Sequence, residues 1–221
     1  GDTIILDELI HASIIDGARL SYANRFTFRH NDLQSLEEKL KHAKGNCYVV
    51  IESVYSMDGD TPPIREILLM TKKYNAQLIV DEAHAVGIFG KGFINQLGLE
   101  DEVFARIVTF GKALVCHGAI ILGSKILREY LVNFSRSFIY TTAASFHQVA
   151  SIKMAYRLLP SAGDQAQKLQ QNISLFKELL SQTGFNLLSS DSAIQCLVVG
   201  SNEKAKTMAV QLQNVGLDVR H

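Results

Sequence analysis

The sequence predicts an α/β fold built on a mainly parallel sheet, followed by the start of a smaller α+β unit. Three observations carry this. Short β-rich runs alternate with longer helical patterns through the first 160 residues. Two runs, Tyr48-Val49-Val50-Ile51 and Leu78-Ile79-Val80, are apolar without alternation, as strands covered on both faces are. Polar clusters follow the strands directly, at the ends where open α/β sheets gather their chemistry.

Taken in order, strands are expected over Thr3–Leu6, Cys47–Glu52, Gln77–Asp81, Arg106–Phe110 and Ala119–Leu122. Between them the spacing predicts helices over Asp32–Ala43, Ile64–Tyr74 and Ser124–Arg136. Asn31 or Asp32 caps the first, and Pro62-Pro63 suits the entry of the second. After Pro160-Ser161-Ala162-Gly163 the pattern changes to a long helix over Asp164–Thr183, a strand over Ala193–Val199 and a helix over Glu203–Val215. Residues 1–160 are therefore expected to form one large domain, and 161–221 the truncated start of a small one. No internal repeat, low-complexity tract or charge block interrupts the chain.

Composition narrows the function. The 221 residues are 47% hydrophobic and carry 22 basic against 22 acidic side chains. That excludes a disordered chain and argues against a dedicated nucleic-acid or anionic-membrane binder, which would carry a basic excess. No apolar run approaches the ~20 residues that span a bilayer. Cys47, Cys116 and Cys196 form no CxxC pair and no zinc-ligand spacing, so reduced thiols are expected. The opening residues lack a basic region followed by an apolar one, and a cytoplasmic location is expected. There is no initiator Met, the chain opens in a strand, and both ends read as cut.

Four polar clusters fall at strand ends: Asp7 to His11, Glu52 to Ser56, Asp81-Glu82-Ala83-His84, and Thr109-Phe110-Gly111-Lys112. Asp81 ends a wholly apolar strand, where a carboxylate is costly unless a cation or strong donor meets it. The plain alternative is a capping Asp that begins a loop. Asp-Glu-Ala-His also invites a helicase reading, but the phosphate-binding loop that a helicase requires does not occur. Asp81 and His84 alone are too few ligands for a metal, and Asp58-Gly59-Asp60 reads as a turn, so no metal site is expected. Lys112 follows an apolar strand on a glycine-containing turn. Such a lysine can lose its proton and form an imine, whereas an ordinary lysine is solvated. An acidic strand end, a lysine after the next strand and a nearby hydroxyl together suit pyridoxal phosphate.

The strings Asp7-Glu8-Leu9-Ile10-His11-Ala12-Ser13, Ser56-Met57-Asp58-Gly59-Asp60, Asp81-Glu82-Ala83-His84-Ala85-Val86-Gly87 and Thr109-Phe110-Gly111-Lys112-Ala113 occur in this order. Together with Ser192-Ala193-Ile194-Gln195 they resemble the α-oxoamine synthase family of pyridoxal-phosphate enzymes. The resemblance runs through nearly the whole chain and implies the aspartate-aminotransferase (fold type I) architecture. It implies that Lys112 is the Schiff-base lysine, that Asp81 pairs the pyridine nitrogen, and that His84 bonds the phenolic oxygen with Ser56 close by. His11 would stack on the ring, Thr109 would contact the phosphate, and Thr141 or Thr142 would reach the phosphate of a neighbouring subunit in a homodimer. Without the family, His11 is an ordinary helix histidine, and Ser56 and Thr109 are turn and strand-end hydroxyls. The implied reaction condenses L-alanine with an acyl-CoA, pimeloyl-CoA first, as in biotin synthesis, with loss of carbon dioxide. Relatives that use glycine or serine share the same motifs, and a non-catalytic remnant is the alternative of another class.

The chain departs from the family in three places. Val115 stands where a glycine is usual, and a β-branched residue resists positive φ, so a stiffer or displaced loop is expected. Ala143-Ala144-Ser145-Phe146 replaces a stretch that often contains prolines. The family's phosphate loop, N-terminal arm and carboxylate-binding arginine have no counterpart here, and residues 1–221 alone are expected to bind the cofactor weakly.

Overall fold

The computed structural model describes residues 1–220. Six strands form one sheet: β1 (Thr3–Asp7), β2 (Asn24–Phe28), β3 (Cys47–Glu52), β4 (Gln77–Asp81), β5 (Ala105–Thr109) and β6 (Ala119–Gly123). Their order is β2-β1-β3-β4-β5-β6, with the first five parallel and β6 antiparallel to β5. The helices of this part are α1 (Ala12–Arg19), α2 (Leu33–Lys41), α3 (Ile64–Lys73), α4 (Phe93–Leu97), α5 (Lys125–Phe134), α6 (Arg136–Ile139) and α7 (Phe146–Leu158). Beyond a 3-10 turn at Leu159–Ser161 come α8 (Gly163–Ser181), a short antiparallel pair β7 (Asn186–Leu187) and β8 (Leu197–Val198), and α9 (Asn202–Asn214). No helix among the described residues is long and apolar enough to cross a membrane.

The unbroken apolar strands are explained by what covers them. On one face Ile5, Val49, Ile51, Leu78 and Val80 pack with Leu36 and Leu40 of α2 and Ile64, Ile67 and Leu68 of α3. On the other face Leu6 and Val50 pack with Ile10 and Ala18 at α1. Alternate residues of each strand thus enter opposite layers. Each fully buried aliphatic side chain contributes about 1.5–3 kcal/mol, which fixes the register of the sheet and so the level of its polar ends.

Several boundaries differ from the sequence expectation. β3 and β4 match, and Asp32, with its carboxylate accepting from the Ser35 N–H at 2.9 Å, caps α2. Asn31 instead takes φ 55° in the preceding turn. The helix expected over Ser124–Arg136 is divided at Ser135, whose extended backbone (ψ 105°) ends α5 and starts α6. The strand expected over Ala193–Val199 is reduced to Leu197–Val198. Its first half is held instead by local bonds, the Ile194 N–H donating to the Ser192 hydroxyl and the Gln195 amide donating to the Ser192 carbonyl, which compete with strand pairing. The elements β2, α4 and α7 have no counterpart in the sequence expectation, and α1 has only the reading of His11 as a helix residue. Val115 does adopt a left-handed backbone, with φ 51°, so the loop is not displaced into an unstrained path.

Candidate active site

Four parallel strands, β1, β3, β4 and β5, lie side by side and end at one edge of the sheet. Register places Glu52 directly beside Asp81, and Asp81 beside Ile107, two residues before Thr109. The polar residues that close these strands therefore converge because the apolar residues behind them are packed.

Asp81 is 7% exposed, and its Oδ1 accepts the Ala83 N–H at 2.8 Å. Among the described residues it has no ion-pair partner within bonding range. Burial pushes its carboxyl up, against the opposing pull of the Ala83 N–H and the charges of Lys112 and His11. Glu52 is 2% exposed, and its Oε1 has no hydrogen-bond partner among the described residues. Burial and then the adjacent Asp81 push it up to about 7, while the backbone N–H groups of His11 and Ser56 act the other way. Burial, with the positive charges of Lys112 and His11, lowers His84 to about 4, so its imidazole is neutral at ordinary pH.

Lys112 lies in the turn after β5, with Nζ 3.4 Å from Thr109 Oγ1. A cavity of about 190 Å³ lies over this turn, lined by Lys112, Ala113, Ala83 and His84 and closed by Ser192, Ala193 and Ile194. His11 caps α1, its Nδ1 accepting the Ser13 N–H at 3.2 Å, so it is a cap and not a mid-helix residue. It lies on the side of the site that holds Asp81 and His84. Ser56 is half-buried just beyond β3. The structure thus brings Asp81, His84, Lys112 and Thr109 together and sets His11 and Ser56 near Glu52. It does not bring in Thr141 or Thr142, which are exposed on the link between α6 and α7.

Two groups were given no role by the sequence. One is Glu52, whose only signal was a carboxylate at the end of an apolar strand. The other is a charge cluster behind the site. His30 Nδ1 meets Asp7 Oδ1 at 2.9 Å, and its Nε2 meets Asp60 Oδ2 at 2.8 Å. Burial opposes the charge of His30, but hydrogen bonds to Asp60 and Asp7 override it and raise the imidazole to about 10. His30, Asp58 and Asp60 lie close enough to suggest a cation, yet the imidazolium already supplies the positive charge between Asp7 and Asp60.

The comparisons agree with this geometry. The family model for aminotransferase class I and II matches residues 1–221. A Bacillus cereus protein with the curated name "Putative 8-amino-7-oxononanoate synthase" is 40% identical over 222 residues, covering 98% of this chain and 56% of its own length. A Bacillus anthracis protein of the same name matches to the same extent. The chain thus spans a little over half the length of these relatives. The serine palmitoyltransferase of S. paucimobilis, solved with a bound PLP–myriocin adduct, superposes with a TM-score of 0.95 at 31% identity, covering 100% of this chain and 59% of that one. The 8-amino-7-oxononanoate synthase of Francisella tularensis superposes with a TM-score of 0.86 at 29% identity, covering 97% of this chain and 64% of that one. The chain belongs to the aminotransferase class I and II family, among its α-oxoamine synthases, and pyridoxal phosphate is its cofactor.

Proposed function

We propose that the protein condenses L-alanine with an acyl-CoA, pimeloyl-CoA first, forming 8-amino-7-oxononanoate and releasing carbon dioxide and free coenzyme A as the thioester is broken. The observation that carries the reading is the buried Asp81 carboxylate, without an ion-pair partner among the described residues, at the same strand edge as Lys112 and a neutral His84. A protonated heterocyclic nitrogen is the partner this carboxylate lacks, so the residues present fit pyridoxal phosphate. When bound, the cofactor supplies an electron sink for the charge left at the amino acid's Cα.

The chain's own residues supply the rest. Lys112 would hold the cofactor through its amine, and the same amine would move the proton at the amino acid's Cα. Asp81 would pair the ring nitrogen and keep it protonated. His84, neutral because it is buried beside positive charge, has an N–H to donate to the phenolic oxygen, and Ser56 assists there. His11 would cover the ring face, and Thr109 would contact the phosphate.

The support for L-alanine and pimeloyl-CoA over glycine or serine with other acyl donors is the naming of the relatives at 40% identity. Steady-state assays across the three amino acids decide between them. In the intact protein we further propose a homodimer in which Thr142 or Thr141 serves the neighbour's phosphate. The exposed aromatic run Phe134, Phe138 and Tyr140 just before those hydroxyls supports it. We also place the divide between a large and a small domain near residue 160.

The test is borohydride reduction of the intact protein with pyridoxal phosphate, followed by peptide mapping. A pyridoxyl group on Lys112 is expected. A label on another lysine, or none, sinks the assignment.

A further inference from the structure

The cavity over Lys112 has two walls of different origin. One is the loop after β4 with the Lys112 turn; the other is the short strap Ser192-Ala193-Ile194, far along the chain. Strand pairing does little to place the strap, because β7 and β8 pair over only two residues each. A hydroxyl holds it instead. Ser190 is 3% exposed, and its Oγ accepts the Ser192 N–H at 3.1 Å. The same oxygen lies 2.8 Å from the Gly59 carbonyl, 2.7 Å from the Ile194 carbonyl and 2.9 Å from Ser192 Oγ. A single hydroxyl proton serves the two carbonyls in turn, and so joins the strap to the turn that follows β3.

The turn itself is built for this approach. Gly59 has φ +75°, and a Cβ there would sit 2.3 Å from the Ile194 carbonyl oxygen and 2.6 Å from Ser190 Oγ. Only glycine allows the two backbones to come this close. The turn is closed by the Gly59 N–H on the Tyr55 carbonyl at 2.9 Å and the Tyr55 N–H on the Asp60 carbonyl at 3.0 Å. His30 then ties Asp60 to Asp7 at the end of β1. From the other side, Lys177 of α8 donates to the Ser190 carbonyl and to Asp191, both at 2.8 Å. The height of the strap above Lys112 is thus referred to the sheet through Ser190 and Gly59.

We propose that Ser190 is a positioning residue that sets the distance of the Ser192–Ile194 strap from Lys112, and that the strap limits the size of the amino-acid side chain admitted. This rests on the function proposed above. The lining there is small and largely apolar, with Ala193 and Ile194 of the strap sharing the cavity with Val86 and Ile88. Such a wall suits a methyl group and resists a longer chain.

The experiment uses the intact protein loaded with pyridoxal phosphate, assayed with L-alanine and with L-2-aminobutyrate, which is one methylene larger. Ser190→Ala is expected to raise KM for L-alanine about tenfold, the equivalent of one lost hydrogen bond, with kcat within about twofold and the cofactor's visible absorbance unchanged. Ala193→Gly, which leaves the hydroxyl node intact, is expected to shrink the discrimination against L-2-aminobutyrate about tenfold, the scale of one methylene in an apolar pocket. Unchanged discrimination in Ala193→Gly overturns the proposal, as does a Ser190→Ala protein that loses cofactor absorbance and kcat in proportion. Failure of the functional reading is seen separately, as a missing label on Lys112 in the unsubstituted protein.

Discussion

Val115 sits three residues after Lys112 with φ 51°, in the left-handed region that β-branched residues avoid. Its surroundings hold it there. The Val115 N–H bonds the Lys112 carbonyl at 3.0 Å, and the Cys116 N–H bonds the Phe110 carbonyl at 2.8 Å, closing the turn on both sides. The side chain is 89% exposed, so almost no packing is lost on removing it. A strained backbone of this kind costs about 1–3 kcal/mol, against which glycine's extra freedom in the unfolded chain costs about 0.5–1 kcal/mol. Val115→Gly is therefore expected to stabilise the protein by about 1 kcal/mol, whereas Val115→Ala, which keeps a Cβ, should change it by less than about 0.5 kcal/mol. Urea unfolding of the two variants tests this, and equal effects would show that the turn is not strained. At this scale the sequence was informative about Asp81, His84 and Lys112, because a polar residue that closes an apolar strand is visible in one dimension. It marked Glu52 only as a member of a strand-end polar cluster, gave it no role, and was silent about His30. Glu52 matters through its register beside Asp81, and His30 through Asp7 and Asp60, which lie 23 and 30 residues away.

Among the elements, β3 and β4 were legible because both faces are buried, so their sequences carry an unbroken apolar signal. β2 was not, because Asn24–Phe28 is an edge strand paired only with β1 and largely exposed, with polar residues at Asn24, Arg25 and Thr27. In α1, Ile14 and Ile15 are β-branched and Gly17 weakens the helix interior, so tertiary packing of Ala18 decides what propensity does not. One ion pair organises the elements around the site. Glu82 is fully buried; its carboxylate accepts the Ile94 N–H at 2.8 Å and faces Arg106 of β5 at 2.5 Å. Arg106 in turn donates to the Lys91 carbonyl at 2.9 Å, which pins the start of α4 to the sheet. Arg106→Met leaves Glu82 buried and unpaired and should cost about 3–5 kcal/mol. Adding Glu82→Gln should recover part of that loss. A double variant no more stable than the single one in urea unfolding would show that packing of the arginine stem, and not charge pairing, holds the loop.

For the whole molecule, topology was legible only as a class. A parallel sheet follows from the alternation of elements, but the order that sets β1 between β2 and β3, and so brings Asp7 and His30 together, depends on contacts between distant segments. Those contacts give the apo protein a pH profile whose sign can be worked out. His84 is held down at about 4, so the folded state refuses a proton that the unfolded chain accepts near 6.5, and stability falls as pH drops through that window. Glu52 is raised to about 7, so the folded state keeps a proton that the unfolded chain loses near 4.3, and stability falls as pH rises from there to 7. The two oppose each other in mildly acid solution and largely cancel. Above pH 7 His30 remains. Its imidazole is raised to about 10, so its contribution is complete below about 6.5 and is lost as pH climbs to 10. The loss should be on the order of 3 kcal/mol, because the side chain is only 18% exposed and screening is limited. Urea unfolding of the intact apo protein from pH 6 to 10 is expected to show this decline. His30→Gln, which keeps a donor toward one carboxylate but carries no charge, should be less stable at pH 6 and flat above pH 7. A parallel decline in both proteins would assign the alkaline loss to other groups and remove His30 as the charge that joins β1 to the Asp60 turn.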